Sequence, residues 1–252
     1  MEGFGPASYG DAFADVYDAW YGEVSDAEAT ADVIAELARE SAGVRRPRVL
    51  ELGVGTGRLA LPIAARGVDV VGVDTSHAML DRLRERDPHN TVATVSGDMV
   101  DDLPDGPFDV VLVAYNTLFN LESAERQAAC FIAVAGRLAP GGTMFVEAFV
   151  PADPPASGPR VGVRSMTATD VVLSVSTNDP AGQRVAGQFI HLIDGEPVRL
   201  RPWQVRYCFP GELDDMAAAA GLTLAQRWGD IDRRDFTPES PRHVTLYRLS
   251  FE

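Results

Sequence analysis

Lysine is missing from this sequence, since all 22 basic residues are arginines. Schiff-base chemistry needs a lysine amine, and a phosphate loop of the Walker type needs a lysine beside the phosphates. The absence of lysine therefore excludes both kinds of site.

Cysteine is nearly absent as well, with Cys130 and Cys208 lying far apart in a chain of 252 residues. This separation argues against a disulfide framework and against a zinc site built on cysteines. We expect both to be reduced, buried thiols. No two of the 4 histidines have the spacing of metal ligands, so we predict no bound metal.

The sequence also lacks long apolar runs and has few positive charges relative to negative ones. No apolar stretch approaches the length that crosses a bilayer, and the N-terminus lacks the basic region of a secretory signal. We therefore expect a cytoplasmic protein with no membrane partner. The net charge of −15 repels polyanions, which disfavours nucleic acid and favours a cationic or neutral small molecule as substrate.

Strand-like and helix-like segments alternate from residue 48 onward, and this order predicts a parallel sheet with helices on both faces. The expected fold is a doubly wound, mostly parallel α/β sheet. The predicted strands are 48–52, 68–74, 91–98, 108–115 and 142–149, and the predicted helices are 57–66, 77–86 and 122–138.

Aromatic residues crowd the N-terminus, where Tyr9, Phe13, Tyr17 and Trp20 recur at helical spacing and predict one apolar stripe. Ser25 and Glu28 are then expected to form a capping box for a helix that ends at Gly43.

A second kind of structure follows Pro151, where a proline-rich loop leads into strand candidates separated by turn signals. These predict an inserted antiparallel sheet, and after it a helix and an antiparallel edge hairpin on the main sheet. The expected strands are 161–167, 170–177, 184–193 and 197–208, then the helix 210–220, then the strands 222–228 and 243–250.

We expect a single domain with four parts: a helical aromatic lid (1–44), a cofactor-binding core (45–150), an inserted cap (151–209) and a closing segment (210–252).

The stretch "ELGVGTG" places Gly53, Gly55 and Gly57 between the first strand and its helix. Ligands of open α/β sheets bind at this edge. A dinucleotide site reads G-x-G-x-x-G and holds a pyrophosphate. Here the spacing is G-x-G-x-G, and Glu51 would repel a pyrophosphate and attract an ammonium group. The loop therefore favours a ligand with a cationic amino-acid end over a nicotinamide dinucleotide.

Two further carboxylates follow neighbouring strands. Asp74 ends the second strand, 19 residues beyond Gly55, where a carboxylate can accept both ribose hydroxyls of an adenosine ligand. Asp98 follows the third strand and is placed to accept the adenine amine, with Met99 against the ring. Together these positions predict an adenosine site.

These motifs resemble those of the class I S-adenosylmethionine-dependent methyltransferases: "ELGVGTG", "VVGVDTSHAML", "SGDM", "FDVVLVAYNTLFNL" and "GRLAPGGTMFVE" occur in the family's order. The resemblance covers about 45–150 and the closing hairpin. It implies S-adenosylmethionine as cofactor, S-adenosylhomocysteine as product, and direct methyl transfer to a nucleophile. The cofactor-binding residues that it implies are Tyr17, Glu51, Gly53, Gly55, Gly57, Asp74, Thr75, Met79, Gly97, Asp98, Met99, Ala114, Tyr115 and Asn116.

A narrower resemblance is to antibiotic-tailoring sugar N-methyltransferases, the lincosamide type first and the macrolide amino-sugar type next. Tyr9, Tyr17 and Phe119 lie where the lincosamide type keeps active-site residues. The resemblance implies that Tyr17, assisted by Tyr9, orients the amine or takes its proton, and that Phe119 packs on the substrate or the sulfonium.

Structural roles explain several of these residues equally well. The two tyrosines could belong to a helix that covers the sheet, Phe119 could be a hydrophobic plug, and Asn116 could cap a turn. Trp20, Glu147 and His191 are candidate substrate contacts, although His191 in a strand is more often a satisfied structural histidine.

We therefore expect an N-methyltransferase of a secondary metabolite, with an N-demethyl lincosamide precursor as the first candidate acceptor. The alternatives are dimethylation of a nucleotide-linked amino sugar, O-methylation of a natural product, a nucleoside sensor without activity, and a nicotinamide dehydrogenase. Enzymes of this type often form homo-oligomers, and the oligomeric state stays open.

Overall fold

A seven-stranded sheet lies at the centre of this computed structural model, which describes residues 1–22, 24–152 and 155–250. Its strands are β1 (Arg48–Leu52), β2 (Asp69–Asp74), β3 (Val92–Ser96), β4 (Phe108–Val113), β5 (Leu138–Phe149), β10 (Leu222–Trp228) and β11 (Arg242–Leu249). They lie in the order β10-β11-β5-β4-β1-β2-β3. Strands β1 to β5 are parallel, whereas β11 pairs antiparallel with β5 and β10 pairs antiparallel with β11 at one edge. The predicted doubly wound sheet is confirmed.

Helices cover both faces of this sheet, which explains why β4 is buried along its whole length. One face packs against α3 (Ala27–Ala42), α4 (Ala60–Ala65) and α5 (His77–Arg86). The other packs against α6 (Ala124–Ala135) and α7 (Pro210–Ala219). None of the described helices is both long enough and apolar enough to pass through a lipid bilayer.

The N-terminal aromatic stripe is divided between two short helices, α1 (Ser8–Phe13) and α2 (Tyr17–Tyr21). The chain turns between Ala14 and Val16, so the predicted stripe is interrupted, although Tyr9, Phe13, Tyr17 and Trp20 still pack in one cluster. Only Phe13 and Tyr21 of the aromatic residues in these two helices are fully buried. The turn between the helices will be called the α1–α2 turn (residues 14–16).

Helix α3 begins one residue later than the sequence pattern indicated. Its N-cap is Asp26, whose side chain accepts a hydrogen bond from the Ala29 amide at 2.9 Å. Ser25 instead accepts a hydrogen bond from the Arg58 guanidinium at 2.8 Å. The predicted end of the helix at Gly43 agrees with the structure, since this glycine adopts a positive φ of 61°.

A separate four-stranded antiparallel sheet follows β5 and will be called the inserted sheet. Its strands are β6 (Gly158–Met166), β7 (Asp170–Asp179), β8 (Arg184–Ile193) and β9 (Arg199–Arg206), and they pair in chain order. Strand β9 packs against α1. The inserted sheet therefore lies beside the N-terminal helices, as a second layer next to the main sheet.

The strand order places a crevice at one edge of the main sheet. Strand β1 lies between β2 and β4, so the connections that leave β1 and β4 depart to opposite faces. Crevices of this kind, outside the carboxyl ends of parallel strands, are where open α/β sheets bind ligands.

Candidate active site

A cavity of about 350 Å³ opens at the carboxyl ends of β1, β2 and β3. This volume lies in the range of small-molecule sites. Ten of the predicted site residues line it: Tyr9, Tyr17, Gly53, Gly55, Asp74, Thr75, Met79, Gly97, Asp98 and Met99. The structure thus brings together residues from α1, α2 and three strand ends.

The glycine loop forms one wall of the cavity with its backbone. Gly53 and Gly55 have positive φ angles of 70° and 54°, which L side chains rarely adopt. A Cβ on Gly53 would also collide with the Thr117 methyl group. Gly57 does not line the cavity, because it packs behind the loop against Leu61 and Leu83.

Asp74 holds this wall in place from the end of β2. Its Oδ2 accepts a hydrogen bond from the Gly55 amide at 2.8 Å, and its Oδ1 accepts one from the Ser76 amide at 2.9 Å. Each carboxylate oxygen can accept further hydrogen bonds, and Asp74 lines the cavity. Burial raises the pKa of Asp74. A pair of neighbouring hydroxyls, such as those of a ribose, suits these oxygens.

The segment that follows β3 was expected to contact the adenine end of the ligand, and it lines the cavity through Gly97, Asp98 and Met99. Asp98 Oδ1 accepts hydrogen bonds from the Val100 amide at 2.8 Å and from the Arg126 guanidinium at 2.6 Å. Arg126 comes from α6 and lines the cavity. Sequence reasoning missed this arginine, because nothing in the local pattern shows that α6 approaches β3.

Glu51 precedes the glycine loop and does not line the cavity, so its expected contact with an ammonium group stays a prediction. Its side chain is buried, and Oε2 has no hydrogen-bond partner among the described residues. Burial raises the pKa of Glu51 to about 8, although the nearby Arg58 guanidinium opposes this shift. An unpaired buried carboxyl oxygen is costly.

Tyr9 and Tyr17 line the cavity from the N-terminal helices. Burial raises the pKa of Tyr17 to about 12, against the opposing effect of Arg58. Burial and the neighbouring Tyr21 raise the pKa of Tyr9 well above its usual value. Both hydroxyls are therefore neutral near pH 7. They can orient an amine by hydrogen bonding, and they are poor proton acceptors.

The turn after β4 is rigid and holds its polar groups internally. Asn116 has a left-handed backbone with φ 66°, and its Oδ1 accepts a hydrogen bond from the Phe149 amide at 2.7 Å. Glu147 accepts one from the Tyr115 amide at 3.2 Å, and burial raises the pKa of this carboxyl. Ala114, Tyr115, Asn116 and Glu147 do not line the cavity. Asn116 therefore caps the turn, and its contact with the cofactor stays a prediction.

Phe119 is fully buried and packs edge-on against Phe149, with ring centroids 5.1 Å apart. It does not line the cavity, but its neighbours Thr117 and Asn120 do. This placement agrees with the alternative in which Phe119 is a hydrophobic plug. A direct contact between Phe119 and the substrate stays a prediction.

Trp20 and His191 meet between α2 and the inserted sheet, with ring centroids 5.3 Å apart. His191 is buried between Asp170 at 3.0 Å and the Arg201 guanidinium at 3.4 Å. Neither Trp20 nor His191 lines the cavity. His191 is therefore a satisfied structural histidine in this structure, and its proposed contact with substrate would require a change in packing.

The N-terminal residues that border the cavity were largely missed from the sequence. The Ser76 hydroxyl donates a hydrogen bond to Asp11 at 2.6 Å, and Thr75 donates one to the Pro6 carbonyl at 3.1 Å. A Cβ on Gly10 would collide with Ser76, so this glycine permits the close approach. The aromatic cluster at the N-terminus was the only signal. The unpredicted lining residues are Phe4, Gly5, Pro6, Gly10, Val73, Thr117, Asn120, Leu121, Glu122 and Arg126.

Cys130 and Cys208 are free and buried, and burial raises their pKa values to about 12 and about 11. Within the described part of the chain, no cluster of three or more histidine, cysteine or acidic residues could hold a metal ion.

Comparison with known proteins gives consistent matches. A family model described as a methyltransferase domain matches residues 49–142. Cypemycin N-terminal methyltransferase from Streptomyces sp is 35% identical over 195 residues, which cover 76% of this chain and 79% of that protein. The structure of the CcbJ methyltransferase from Streptomyces caelestis is 41% identical with a TM-score of 0.90, and the match covers 98% of this chain and 100% of the other.

A more distant structure shows the fold with its cofactor. CalS10 from Micromonospora echinaspora is an amino pentose methyltransferase involved in calicheamicin biosynthesis, and it was solved with S-adenosylmethionine bound. It is 24% identical, with a TM-score of 0.71 and coverage of 93% of this chain and 97% of the other. At this identity the likeness shows the fold alone.

Proposed function

This chain belongs to the S-adenosylmethionine-dependent methyltransferases, and on that premise we propose that it methylates a nitrogen atom of a small secondary metabolite. When bound, S-adenosylmethionine supplies a methyl group on a sulfonium, which a nucleophile attacks directly. The task of the protein is therefore to hold the cofactor, to position the acceptor and to exclude water. Positioning alone can lower a barrier by roughly 7–11 kcal/mol.

The cavity residues fit this cofactor. Asp74 suits the ribose hydroxyls, and Asp98 with Met99 suits the adenine, because all three line the same cavity. The unpaired Oε2 of Glu51 supports a cationic amino group at the glycine loop. We propose that Arg58, whose guanidinium lies near both Glu51 and Tyr17, binds the cofactor carboxylate.

The observation that carries the proposal for nitrogen is the pair of neutral tyrosine hydroxyls in the cofactor cavity. A hydroxyl oxygen of Tyr17 or Tyr9 can accept the N–H of a secondary amine. The nitrogen lone pair then stays available for attack. A pKa of about 12 keeps the Tyr17 hydroxyl protonated, so it cannot act as the base. The methylated amine releases its proton to water, and we assign Tyr17 an orienting role.

The acceptor side is formed by the segments outside the cofactor core. We propose that residues 1–44 act as a lid and that residues 151–209 act as a cap over the acceptor. Cypemycin N-terminal methyltransferase is named for methylation at an N-terminus, which supports methylation at nitrogen here. The resemblance at Tyr9, Tyr17 and Phe119 makes an N-demethyl lincosamide precursor our first acceptor.

The test is a screen of acceptors with isotopically labelled S-adenosylmethionine, with mass spectrometry to read the product and the methylated atom. The panel contains an N-demethyl lincosamide, a nucleotide-linked amino sugar and a hydroxylated natural product without an amine. We expect the gain of one methyl group on the lincosamide nitrogen. Products methylated only on oxygen would overturn the nitrogen assignment, and turnover of the amino sugar alone would move the acceptor to that class.

A further inference from the structure

Three aromatic rings surround one guanidinium between the N-terminal helices and the inserted sheet. The Cζ atom of Arg164 lies 5.2 Å from the ring centroid of Trp20, 4.8 Å from that of Tyr21 and 5.1 Å from that of Phe189. The rings of Trp20, Tyr21 and Phe189 will be called the aromatic cage. Rings at this distance attract a cation through their π faces.

The walls of the aromatic cage are firmly packed. The rings of Trp20 and Phe189 meet edge-on at 5.8 Å, and both contact the buried ring of Phe13. Tyr21 is buried. Beside the cage, a second arginine, Arg201, is itself buried and binds Asp15 through both of its terminal nitrogens, at 2.6 and 2.9 Å. This bidentate ion pair, in which Arg201 is buried and Asp15 is partly exposed, fixes the α1–α2 turn against β9.

The cation inside the cage is attached differently. Arg164 extends from β6, which is the edge strand of the inserted sheet, and this residue is exposed. Its guanidinium donates a hydrogen bond to the Trp20 carbonyl at 3.1 Å. The long side chain of Arg164, on an exposed edge strand, can rotate out of the cage without disturbing the rings. Arg201, in contrast, is buried and held by two hydrogen bonds to Asp15.

The aromatic cage is continuous with the candidate active site. Tyr21 packs on Tyr17, with ring centroids 5.1 Å apart, and Phe13 stacks on Tyr9 at 4.5 Å. Tyr9 and Tyr17 both line the cofactor cavity. The cage therefore lies one ring away from the hydroxyls to which we assign the orientation of the acceptor nitrogen.

We propose that the aromatic cage is a docking subsite for an alkylammonium group of the acceptor, and that the acceptor displaces Arg164 from it. The inference rests on the proposed function. A free aliphatic amine reaches the enzyme mainly as its protonated form, and after docking in the cage it must release this proton to water before its nitrogen reaches Tyr17 as the free base. The net charge of −15 also favours the approach of a cation. Arg164 then acts as an internal occupant that keeps the subsite formed before the acceptor arrives.

The test measures binding of choline to the full chain saturated with S-adenosylhomocysteine, which fills the cofactor cavity. Arg164→Met removes the guanidinium that occupies the cage, together with the positive charge that would repel the cation choline. We expect choline to bind roughly tenfold more tightly to this variant than to the wild type, by isothermal titration. Dimethylbutanol, the uncharged carbon isostere of choline, should show no comparable gain. Arg160→Met, an equally exposed change of charge on the same strand, is the matched control and should leave choline binding unchanged.

The aromatic wall is tested in the Arg164→Met background. Adding Trp20→Leu or Phe189→Leu should abolish the gain, and thermal unfolding will show that each variant is folded. The inference is overturned if Arg164→Met binds choline no better than the wild type, or if the gain survives both wall substitutions or appears equally with dimethylbutanol. None of these readings uses methyl transfer, so failure of the nitrogen assignment in the acceptor screen can be told apart from failure of the cage.

Discussion

The proposed cofactor side and the proposed acceptor side of this protein are built in different ways. On the cofactor side, Asp74 bonds to the amides of Gly55 and Ser76, which lie 19 and 2 residues away in sequence. On the acceptor side, Arg164 contacts Trp20 across 144 residues, and Arg201 contacts Asp15 across 186. The cofactor site is therefore made by strand ends and a backbone loop, and the acceptor site by side chains from distant segments.

The two sides also differ in burial. Every residue of β4 is buried, as expected for a central strand covered on both faces. Strand β6 of the inserted sheet is exposed over nearly its whole length, with Val161 and Val163 still 73% and 63% accessible. A change in the main sheet disturbs the fold as well as the site, whereas a change at the outer edge of the inserted sheet should act on the acceptor alone.

The largest effect is expected from Asp74→Ala, which removes the carboxylate of the cofactor side. Hydrogen bonds to a charged group are worth about 1.5–3 kcal/mol each, so the Kd for S-adenosylmethionine should rise by about 100-fold or more. Asp69→Ala, at the exposed other end of β2 where Asp69 pairs with Arg46, is the control. Titration calorimetry gives both values, and equal affinities for the two variants would contradict the assigned ribose contact.

Tyr17→Phe should separate the acceptor side from the cofactor side. If its hydroxyl orients the acceptor, kcat should fall by about 10- to 100-fold while the cofactor Kd changes little. Tyr207→Phe is a matched control, because that tyrosine is buried outside the cofactor cavity. An equal loss of cofactor affinity in Tyr17→Phe would remove Tyr17 from the acceptor role.

The third prediction concerns pH. Burial raises the pKa of Glu51 to about 8 in the free protein, so this carboxyl is mainly protonated at pH 7. A bound ammonium group would stabilise the carboxylate and lower its pKa, so cofactor binding should release a proton. The affinity should then increase with pH, by up to about tenfold per unit below the free pKa.

Calorimetry in buffers of different ionisation enthalpy measures the released proton directly. Glu51→Gln should abolish both the release and the pH slope. Glu147→Gln, which also changes a buried carboxyl of raised pKa, should retain them. A pH slope that persists in Glu51→Gln would assign the proton to another group and would leave the glycine loop without its ammonium partner.

The smallest effect on cofactor binding is expected from a change where the N-terminal helix α1 contacts the loop after β2. Asp11→Ala removes the acceptor of the Ser76 hydroxyl hydrogen bond, which joins α1 to the loop after β2 at 2.6 Å. A net loss of about 0.5–1.5 kcal/mol should speed cofactor release by about 2- to 10-fold. Stopped-flow displacement measures this rate. Asp105→Ala, in an exposed loop, should behave as the wild type.

Much of the cofactor side could be predicted from the sequence. The strand β1 (Arg48–Leu52) and the helix α5 (His77–Arg86) have the bounds that the pattern predicted. Asp74 and Asp98 both line the cavity as expected. Parallel strands place their carboxyl ends at one edge, so residues that follow successive strands converge without any knowledge of long-range packing.

The acceptor side escaped prediction for a physical reason. The aromatic spacing predicted one apolar stripe, but its residues lie in two helices, and the pairing of Asp15 with Arg201 holds the α1–α2 turn between them in place. Glu51 was expected to attract an ammonium group, and the sequence pattern did not show that this side chain is buried and does not line the cavity. Both outcomes depend on how segments that are distant in the sequence pack together.

The sequence by itself determined the layered sheet and the glycine loop of the cofactor site, together with the carboxylates at its strand ends. Each of these follows from local spacing and from the period of apolar residues. Only the tertiary structure decided that the N-terminal aromatic residues meet the inserted sheet, that Arg126 reaches Asp98, and that Arg164 enters a ring of aromatic side chains. Those contacts are set by how separate segments pack on one another, which local sequence patterns do not encode.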